Sequence, residues 1–240
     1  MRLYQDIAAY RVGQRELLEQ LEQANIPQSA VITNVLASDY SMTKDTDPTQ
    51  YSLTHSVEYL EIDSQGIIGE RHHRAVRPSS GRERAIFPKG TIIREHRHLF
   101  AVSLADCKEL SDKLDVEVTP QLLGANLIIE RVDQLSYSLS ALPQGTYIRI
   151  TNPAIIDSSS INRDNLVAVL QKYATQEGCG ITGLSIQEYH KADKSLVKRF
   201  IDESKLKRGI VCSVEFPGEG TTRIEAGQRV FFGFPTGYAP

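Results

Sequence analysis

"RGIVCSVEFPGEG", residues 208–220, is the stretch that most clearly indicates the class of fold. Its apolar run places every second side chain on one face, which is the period of a β-strand: Ile210, Cys212, Val214 and Phe216. The proline and glycines that follow predict a turn. "AGQRVFFGFP", residues 226–235, then predicts a second β segment. The C-terminal part of the chain is therefore predicted to be β structure.

Other parts of the chain also favour strands over helices. β segments are predicted within residues 30–36, 55–63, 124–132 and 140–153, and a strand that enters a helix within residues 97–114. That helix would begin after Ser103, because Asp106 follows at the spacing of a capping box. Strands outnumber helices and do not alternate regularly with them, as they would in a parallel sheet. We therefore expect a mainly β fold, an antiparallel β-barrel with peripheral α-helices.

Three further helices are predicted by apolar spacing. One lies within residues 11–27 and ends at Pro27, and a short charged one lies within residues 194–204. The third spans residues 161–178, between a Ser160 cap and Gly178, because four apolar side chains recur there at helical intervals: Leu166, Val169, Leu170 and Tyr173. No internal repeat or low-complexity linker divides the chain, so we expect one domain over residues 1–240.

The composition is that of a globular protein, with 40% hydrophobic and 24% charged residues among 240. The N-terminus lacks the apolar core of a signal peptide, and no apolar run reaches the roughly 18 residues of a membrane span. Three widely spaced cysteines without a CxxC pair are too few for a disulfide framework. A cytoplasmic protein with free thiols is expected, without a membrane partner.

Positive charge is concentrated in one segment, residues 71–98, which also holds four of the six histidines. Eight basic residues stand there against Glu83 and Glu95: Arg71, Arg74, Arg77, Arg82, Arg84, Lys89, Arg94 and Arg97. The whole chain nevertheless has a net charge of −3. Such a local field attracts an anion, whether phosphate, carboxylate or nucleic acid, although a solvated basic loop remains the alternative.

Several kinds of site are disfavoured. The histidine pairs, residues 72–73 and 96–98, match no known metal-ligand spacing, so no protein-ligated metal is predicted. Neither a glycine-rich phosphate loop nor a GxSxG elbow occurs, which argues against nucleotide and serine hydrolases. The basic segment lacks the interleaved aromatics of a nucleic-acid surface, so nucleic acid is not an expected partner.

The three cysteines differ in their surroundings. Cys107 on an apolar helix face and Cys212 on an apolar strand face are typical of small buried hydrophobes, and we expect both to be unreactive. Cys179 lies in "EGCGITG", residues 177–183, where flanking glycines predict a loop. There a thiol could meet a substrate, although an inert loop cysteine is the favoured interpretation.

Three separated stretches, taken in order over residues 56–232, resemble MOSC domains, named for the C-terminal part of molybdenum-cofactor sulfurases. "GIIGERHHR", residues 66–74, resembles their Gly-x-x-Gly-Asp-x-His segment, with Glu70 for the aspartate. Residues 118–150 resemble their Gly-Glu-Asn-Leu segment and the turn after it, with Ala125 for the glutamate and four matches: Gly124, Asn126, Leu127 and Gly145. Residues 207–230 resemble the closing segment through Arg208, Gly209, Val214, Gly218, Gly227 and Val230. Residues 1–50 are not covered.

The resemblance implies a β-barrel of MOSC type that binds a molybdenum-pterin or related anionic small molecule, or handles sulfur on it. Arginines suit bidentate contacts with a phosphate. Six residues are the expected cofactor-binding set: Glu70, Arg71, His72, Arg74, Arg94 and Asn126. The resemblance further implies partners, a separate pyridoxal-phosphate sulfur donor or a molybdoenzyme.

The family's sulfur-carrying cysteine is expected in "ITNPAIIDSSS", residues 150–160, where Asp157 stands instead. A carboxylate cannot form a persulfide, so the sulfur carrier is expected to be lost, unless Cys179 has taken its role. Whether the protein is an enzyme therefore stays open. The alternative is a non-catalytic scaffold or regulatory module on the same fold.

Overall fold

A computed structural model describes residues 29–38, 54–79, 86–133, 137–176, 178–217 and 220–234 of the chain. The helix predicted within residues 11–27 lies outside these ranges. Among the helices that are described, none is long and apolar enough to cross a membrane.

Strands occur throughout the described residues, and the α-helices form two pairs. The strands are β1 (Ser29–Ala37), β2 (His55–Ser56), β3 (Tyr59–Asp63), β4 (Gly66–Ile67), β5 (Val76–Pro78), β6 (Ile92–Arg94), β7 (Leu99–Val102), β8 (Leu127–Arg131), β9 (Tyr147–Thr151), β10 (Leu166–Thr175), β11 (Ile210–Phe216), β12 (Thr222–Glu225) and β13 (Arg229–Gly233). The helices are α1 (Leu104–Leu114) and α2 (Pro120–Leu123), between β7 and β8, and α3 (Gly180–His190) and α4 (Ser195–Glu203), between β10 and β11. Short 3₁₀ turns occur at Leu139–Ala141 and Ser158–Ser160.

Seven strands close into a barrel in the order β1, β13, β9, β10, β11, β7 and β8, and β8 pairs with β1 again. All neighbours in this ring are antiparallel except β7 and β8, which run parallel with Ala101 opposite Leu127. The expectation of a mainly β barrel is thus confirmed, but the expectation that it is antiparallel is wrong. The barrel is mixed.

The parallel pair follows from the connection between its strands. Parallel neighbours need a crossover of roughly a dozen or more residues, and the chain between β7 and β8 passes through α1 and α2. These helices, with α3 and α4, form a layer outside the barrel. β7 is consequently buried on both faces: Leu99 and Ala101 lie in the barrel core, whereas Phe100 and Val102 lie in the helical layer.

The C-terminal strand prediction is confirmed. Ile210, Cys212 and Val214 of β11 all point into the barrel core, and β13 forms the second predicted segment. Strand β12 lies between them and pairs with β3 in a small separate sheet. β5 and β6 form a hairpin of their own.

Two of the helix predictions are confirmed. Ser103 Oγ accepts a hydrogen bond from the Asp106 backbone N–H at 3.2 Å, and Asp106 Oδ2 accepts one from the Ser103 N–H at 3.1 Å, so the predicted capping box of α1 is present. The short helix predicted within residues 194–204 is α4.

The helix predicted over residues 161–178 is wrong, because most of this segment is strand β10. Its side chains alternate in burial, with Ala168, Leu170 and Lys172 buried. Both edges of β10 are paired, one with β9 and the other with β11. The Lys172 Nζ donates to the Ser140 carbonyl at 3.0 Å and to the Leu142 carbonyl, and burial lowers its pKa to about 8.

Gly209 allows β11 to approach β7 closely. Its φ is +84°, and a Cβ at this position would lie 2.4 Å from the Ala101 carbonyl oxygen. Gly227 has a similar φ of +89°, but nothing lies within 4 Å of the place where its Cβ would be. The two glycines therefore share a backbone conformation and differ in their surroundings.

We expect Gly209→Ala to lower the free energy of unfolding by about 3–5 kcal/mol, because left-handed strain and a backbone clash add together. Gly227→Ala should lower it by only about 1–2 kcal/mol through the strain alone. Urea denaturation of both variants measures the difference. Equal losses would show that the approach of β11 to β7 adjusts without cost.

Candidate functional site

A cavity of about 220 Å³ is lined by residues from β7, β11, α3 and the turn before β8. Its polar lining combines guanidinium, imidazole, carboxylate, amide and thiol groups: Arg71, Arg97, Arg208, His72, His98, Glu70, Asn126, Gln176 and Cys179. Concave sites with a few converging polar groups are the usual places for small-molecule binding.

Four of the six residues proposed from the sequence meet at this cavity. Glu70, Arg71 and His72 reach it from the loop after β4, and Asn126 reaches it from the residue before β8. Three of them are consecutive, and the fold brings the fourth, Asn126, to the same cavity although it lies 56 residues from Glu70 in the sequence.

Arg74 and Arg94 do not line this cavity. Arg74 donates through Nε and Nη2 to Glu95 Oε2, both at 3.1 Å. Arg94 Nη2 donates to Glu215 at 3.1 and 3.2 Å, and about half of its side chain is exposed. Their place in the expected binding set therefore has no support from the geometry of this cavity.

Asn126 holds the cavity wall together. Its Oδ1 accepts from the Phe100 N–H at 2.9 Å, and its Nδ2 donates to the Leu36 carbonyl at 3.4 Å and to Glu70 Oε1 at 3.5 Å. Glu70 Oε1 also accepts from the Ser38 N–H at 2.8 Å. Burial raises the pKa of the Glu70 carboxyl above its usual value, against the opposing effect of the Ser38 and Arg71 N–H groups.

Glu95 organises the basic segment. Its fully buried carboxylate accepts from His72 Nδ1 at 3.3 Å and from Arg77 Nε at 3.2 Å, besides the two bonds from Arg74. The backbone N–H groups of His96 and Arg97 donate to Oε1, each at 3.1 Å. Burial alone would raise the pKa of Glu95, but these donors hold it well below its usual value. Three arginines of the segment, Arg74, Arg77 and Arg97, are therefore engaged by a single carboxylate.

His72 and His73 have separate partners. A carboxylate at its low pKa can only accept, so His72 donates through Nδ1 to Glu95. His73 Nε2 instead contacts both Asp63 oxygens at 3.0 Å. In the described part of the chain, no group of three or more His, Cys, Asp or Glu residues is arranged to hold a metal ion.

Cys179 is the N-cap residue of α3, a helix that the sequence did not predict. Its Sγ accepts from the Thr182 N–H at 3.5 Å and lies 3.2 Å from Thr182 Oγ1. Helix N-termini favour negative charge because their N–H dipoles point toward the cap. The thiol therefore occupies a position suited to a thiolate.

Arg208 adds a buried positive charge to the thiol's surroundings. Its Nη2 donates to Thr182 Oγ1 at 2.8 Å and to the Leu123 carbonyl at 2.7 Å, while Nη1 lies 4.0 Å from Cys179 Sγ. The guanidinium also lies 5.3 and 5.6 Å from the ring centroids of Phe100 and Phe200. Thr182 Oγ1 therefore lies within hydrogen-bonding distance of both the guanidinium and the thiol.

The pKa of Cys179 is lowered relative to an ordinary thiol. Burial acts to raise this pKa, but the charge of Arg208 and the hydrogen bonds of Thr182 outweigh it. The other thiols behave in the opposite way, since burial raises the pKa of Cys212 to about 12 and that of Cys107 well above its usual value. Their predicted burial is confirmed.

The glycines on either side of Cys179 differ in their surroundings. A Cβ on Gly178 would lie 2.1 Å from Ser204 Oγ and 3.0 Å from the Ile201 Cα, so α4 packs directly against this residue. A Cβ on Gly180 would meet nothing within 4 Å. Packing against α4 thus fixes the backbone on the N-terminal side of Cys179, at Gly178.

Asp157 and Cys179, the two positions considered for a sulfur carrier, lie in different surroundings. Asp157 is exposed and caps a 3₁₀ turn, where its Oδ1 accepts from the Ser159 N–H at 2.9 Å, and it does not line the cavity. Cys179, which follows β10, does line it.

Sequence reasoning missed Glu95, Arg97, Thr182 and Arg208 as site residues. Glu95 had a signal, since it stands between Arg94 and Arg97 in a basic run and a lone acid there has many possible partners. Arg208 was noted only as a motif match. Nothing in the local sequence connects Thr182 to residue 208.

Glu95→Gln should lower the free energy of unfolding at pH 7 by about 3–5 kcal/mol, because it removes the carboxylate that balances the buried Arg77 charge. Glu215→Gln, at the exposed pair with Arg94, should lower the free energy of unfolding by less than about 1 kcal/mol.

The folded-state pKa of Glu95 is depressed, so its contribution to the free energy of unfolding is present above about pH 4.5 and is lost on acidification. Urea denaturation at pH 7 and pH 3 tests both statements, and similar losses in the two variants would contradict them.

Comparisons with known proteins identify the family and agree with the fold. The MOSC domain model matches residues 71–231. YuaD of Bacillus subtilis (strain 168), named as a candidate metal-sulfur cluster biosynthesis protein, is 28% identical over 171 residues, which are 71% of this chain and 79% of YuaD. The crystal structure of the YUAD protein from Bacillus subtilis superposes with a TM-score of 0.65 at 23% identity, covering 85% of this chain and 95% of that one. Since the domain match spans more than half of the 240 residues, the chain belongs to the MOSC domain family.

Proposed function

We propose that the protein binds an anionic small molecule of the molybdenum-pterin type in this cavity and carries sulfur on Cys179. The observation that supports this most directly is the place of the thiol. Cys179 lines the same cavity as Arg71, His72 and Arg208, and its surroundings favour the thiolate.

A sulfur carrier needs a thiolate that attacks the terminal sulfur of a donor persulfide. The Cys179 sulfur would form the new S–S bond while the donor S–S bond breaks, and its electron pair would leave on the donor thiolate. Arg208 and the Thr182 N–H and hydroxyl suit the attacking sulfur, because each of them favours negative charge on Sγ. No net oxidation or reduction is required.

The lining also fits an anionic ligand. Arg71 and Arg97 would supply guanidinium donors for a phosphate, and His72 would supply a hydrogen-bonding group. A molybdenum-pterin cofactor, when bound, would bring such a phosphate and a metal centre that takes sulfur ligands. The sulfur itself would come from a separate donor, for which a pyridoxal-phosphate enzyme is the expected class, and a molybdoenzyme would be the acceptor.

Incubation with a small alkyl persulfide should place one extra sulfur on Cys179, and mass spectrometry of the digested protein should locate it. Cys179→Ser should abolish the modification. Cys212→Ser should leave it unchanged, because Cys212 is fully buried and its thiol has a raised pKa.

Absence of a persulfide on wild-type Cys179 would contradict the sulfur-carrying part of this proposal. If an anion still bound in that case, a non-catalytic binding module would be the better description. Modification of Cys107 or Cys212 at a comparable rate would show that burial does not protect these thiols.

The anion-binding part has its own test. Arg71→Ala should weaken phosphate or sulfate binding by about 1.5–3 kcal/mol, because a charge-assisted contact in a partly enclosed site is lost. Arg94→Ala is the matched control, since Arg94 belongs to the same basic segment but does not line the cavity. Calorimetric titration compares the two. Equal effects would mean that the segment acts only through its overall charge.

A further inference from the structure

His72 is held in one tautomer by Glu95. Because the ionised carboxylate only accepts, the N–H of the neutral imidazole is on Nδ1, 3.3 Å from Glu95 Oε2. Nε2 therefore carries the lone pair, and among the described residues it has no hydrogen-bond partner. A buried carboxylate behind an imidazole is a general arrangement for a residue that takes up and returns a proton.

This imidazole lines the same cavity as the Cys179 thiol. In sulfur transfer, the attacking sulfur has to lose a proton, whereas the leaving sulfur has to gain one. Arg208, Thr182 and the start of α3 stabilise the attacking thiolate, but an alkyl thiolate leaves slowly unless it is protonated, since thiols with high pKa are poor leaving groups.

We propose that His72 is the acid–base residue of the sulfur transfer and that Glu95 is the residue that positions it; this inference rests on the function proposed above. His72 Nε2 takes the proton of the Cys179 thiol, and the thiolate attacks the terminal sulfur of R–S–SH. The S–S bond breaks with its electron pair on the R–S⁻ sulfur, to which Nε2 returns the proton. The products are the Cys179 persulfide and R–SH, so atoms and charges balance.

The charges around His72 are consistent with a proton that moves in both directions. Burial lowers the pKa of the imidazole, and Arg97 and Arg71 act in the same direction, while Glu95 opposes them. These surroundings favour the neutral imidazole, which can accept a proton. Glu95 then stabilises the imidazolium for the short time before the proton is returned.

A substitution separates the proton transfer from the structural role. His72→Asn retains an N–H donor that can reach Glu95 and removes Nε2. We would measure the rate of Cys179 modification by two symmetrical disulfides, one with alkyl and one with nitroaryl groups. The alkyl thiolate needs a proton to leave, whereas the nitroaryl thiolate does not. When each rate is divided by the fraction of Cys179 that is ionised, measured by thiolate absorbance, His72→Asn should slow the alkyl reaction by about 100-fold and the nitroaryl reaction by less than about 3-fold.

The pH profile supplies a second readout. The wild-type alkyl reaction should fall as the pH rises and the pair of Cys179 and His72 loses the proton that they share, and this alkaline limb should be missing in His72→Asn. In Glu95→Gln the limb should move to lower pH, because the imidazolium loses its carboxylate. A structural role alone would move neither limb.

The outcomes are distinguishable. Equal slowing of both disulfides in His72→Asn, or no slowing of either, would overturn the role of His72 and leave Cys179 as a carrier. A wild-type Cys179 that reacts with neither disulfide would overturn the proposed function and this inference with it. Urea denaturation of His72→Asn checks that the variant is folded.

Discussion

Because β8 lies parallel to β7, the chain has to cross the outside of the barrel through α1 and α2 before it can return. That crossover creates the helical layer and buries β7 on both faces. It also sets Asn126 beside Phe100, where the amide joins both strands to Glu70. The cavity lies where the layer and the barrel meet, so the position of every site residue depends on this one strand pair.

Local signals were enough for the elements whose sequence pattern is itself local. The capping box of α1 needs only Ser103 and Asp106, three residues apart, and the alternation in β11 is visible without a partner strand. The motif resemblance also relied on short segments with fixed spacing. Four of the residues that it indicated line one cavity: Glu70, Arg71, His72 and Asn126.

What the sequence did not reveal depends on contacts between distant residues. The apolar positions of residues 166–175 fit a helix as well as a strand, and only pairing with β9 and β11 decides between them. Arg74 was expected at the ligand, but the buried Glu95 engages it. Likewise Arg208 meets Thr182 and Cys179 only after β11 and α3 are in place.

The packing of Gly178 against α4 means that Gly178 and Gly180, which flank Cys179, differ in how well they tolerate substitution during evolution. Any side chain at 178 would displace Ser204 and Ile201, and the thiol would move with the backbone, whereas a side chain at 180 meets open space. Descendants of this protein should therefore vary freely after the thiol and hardly at all before it. At position 178 a glycine is required because of the crowding by α4, and substitution of this small residue would disturb the position of the thiol.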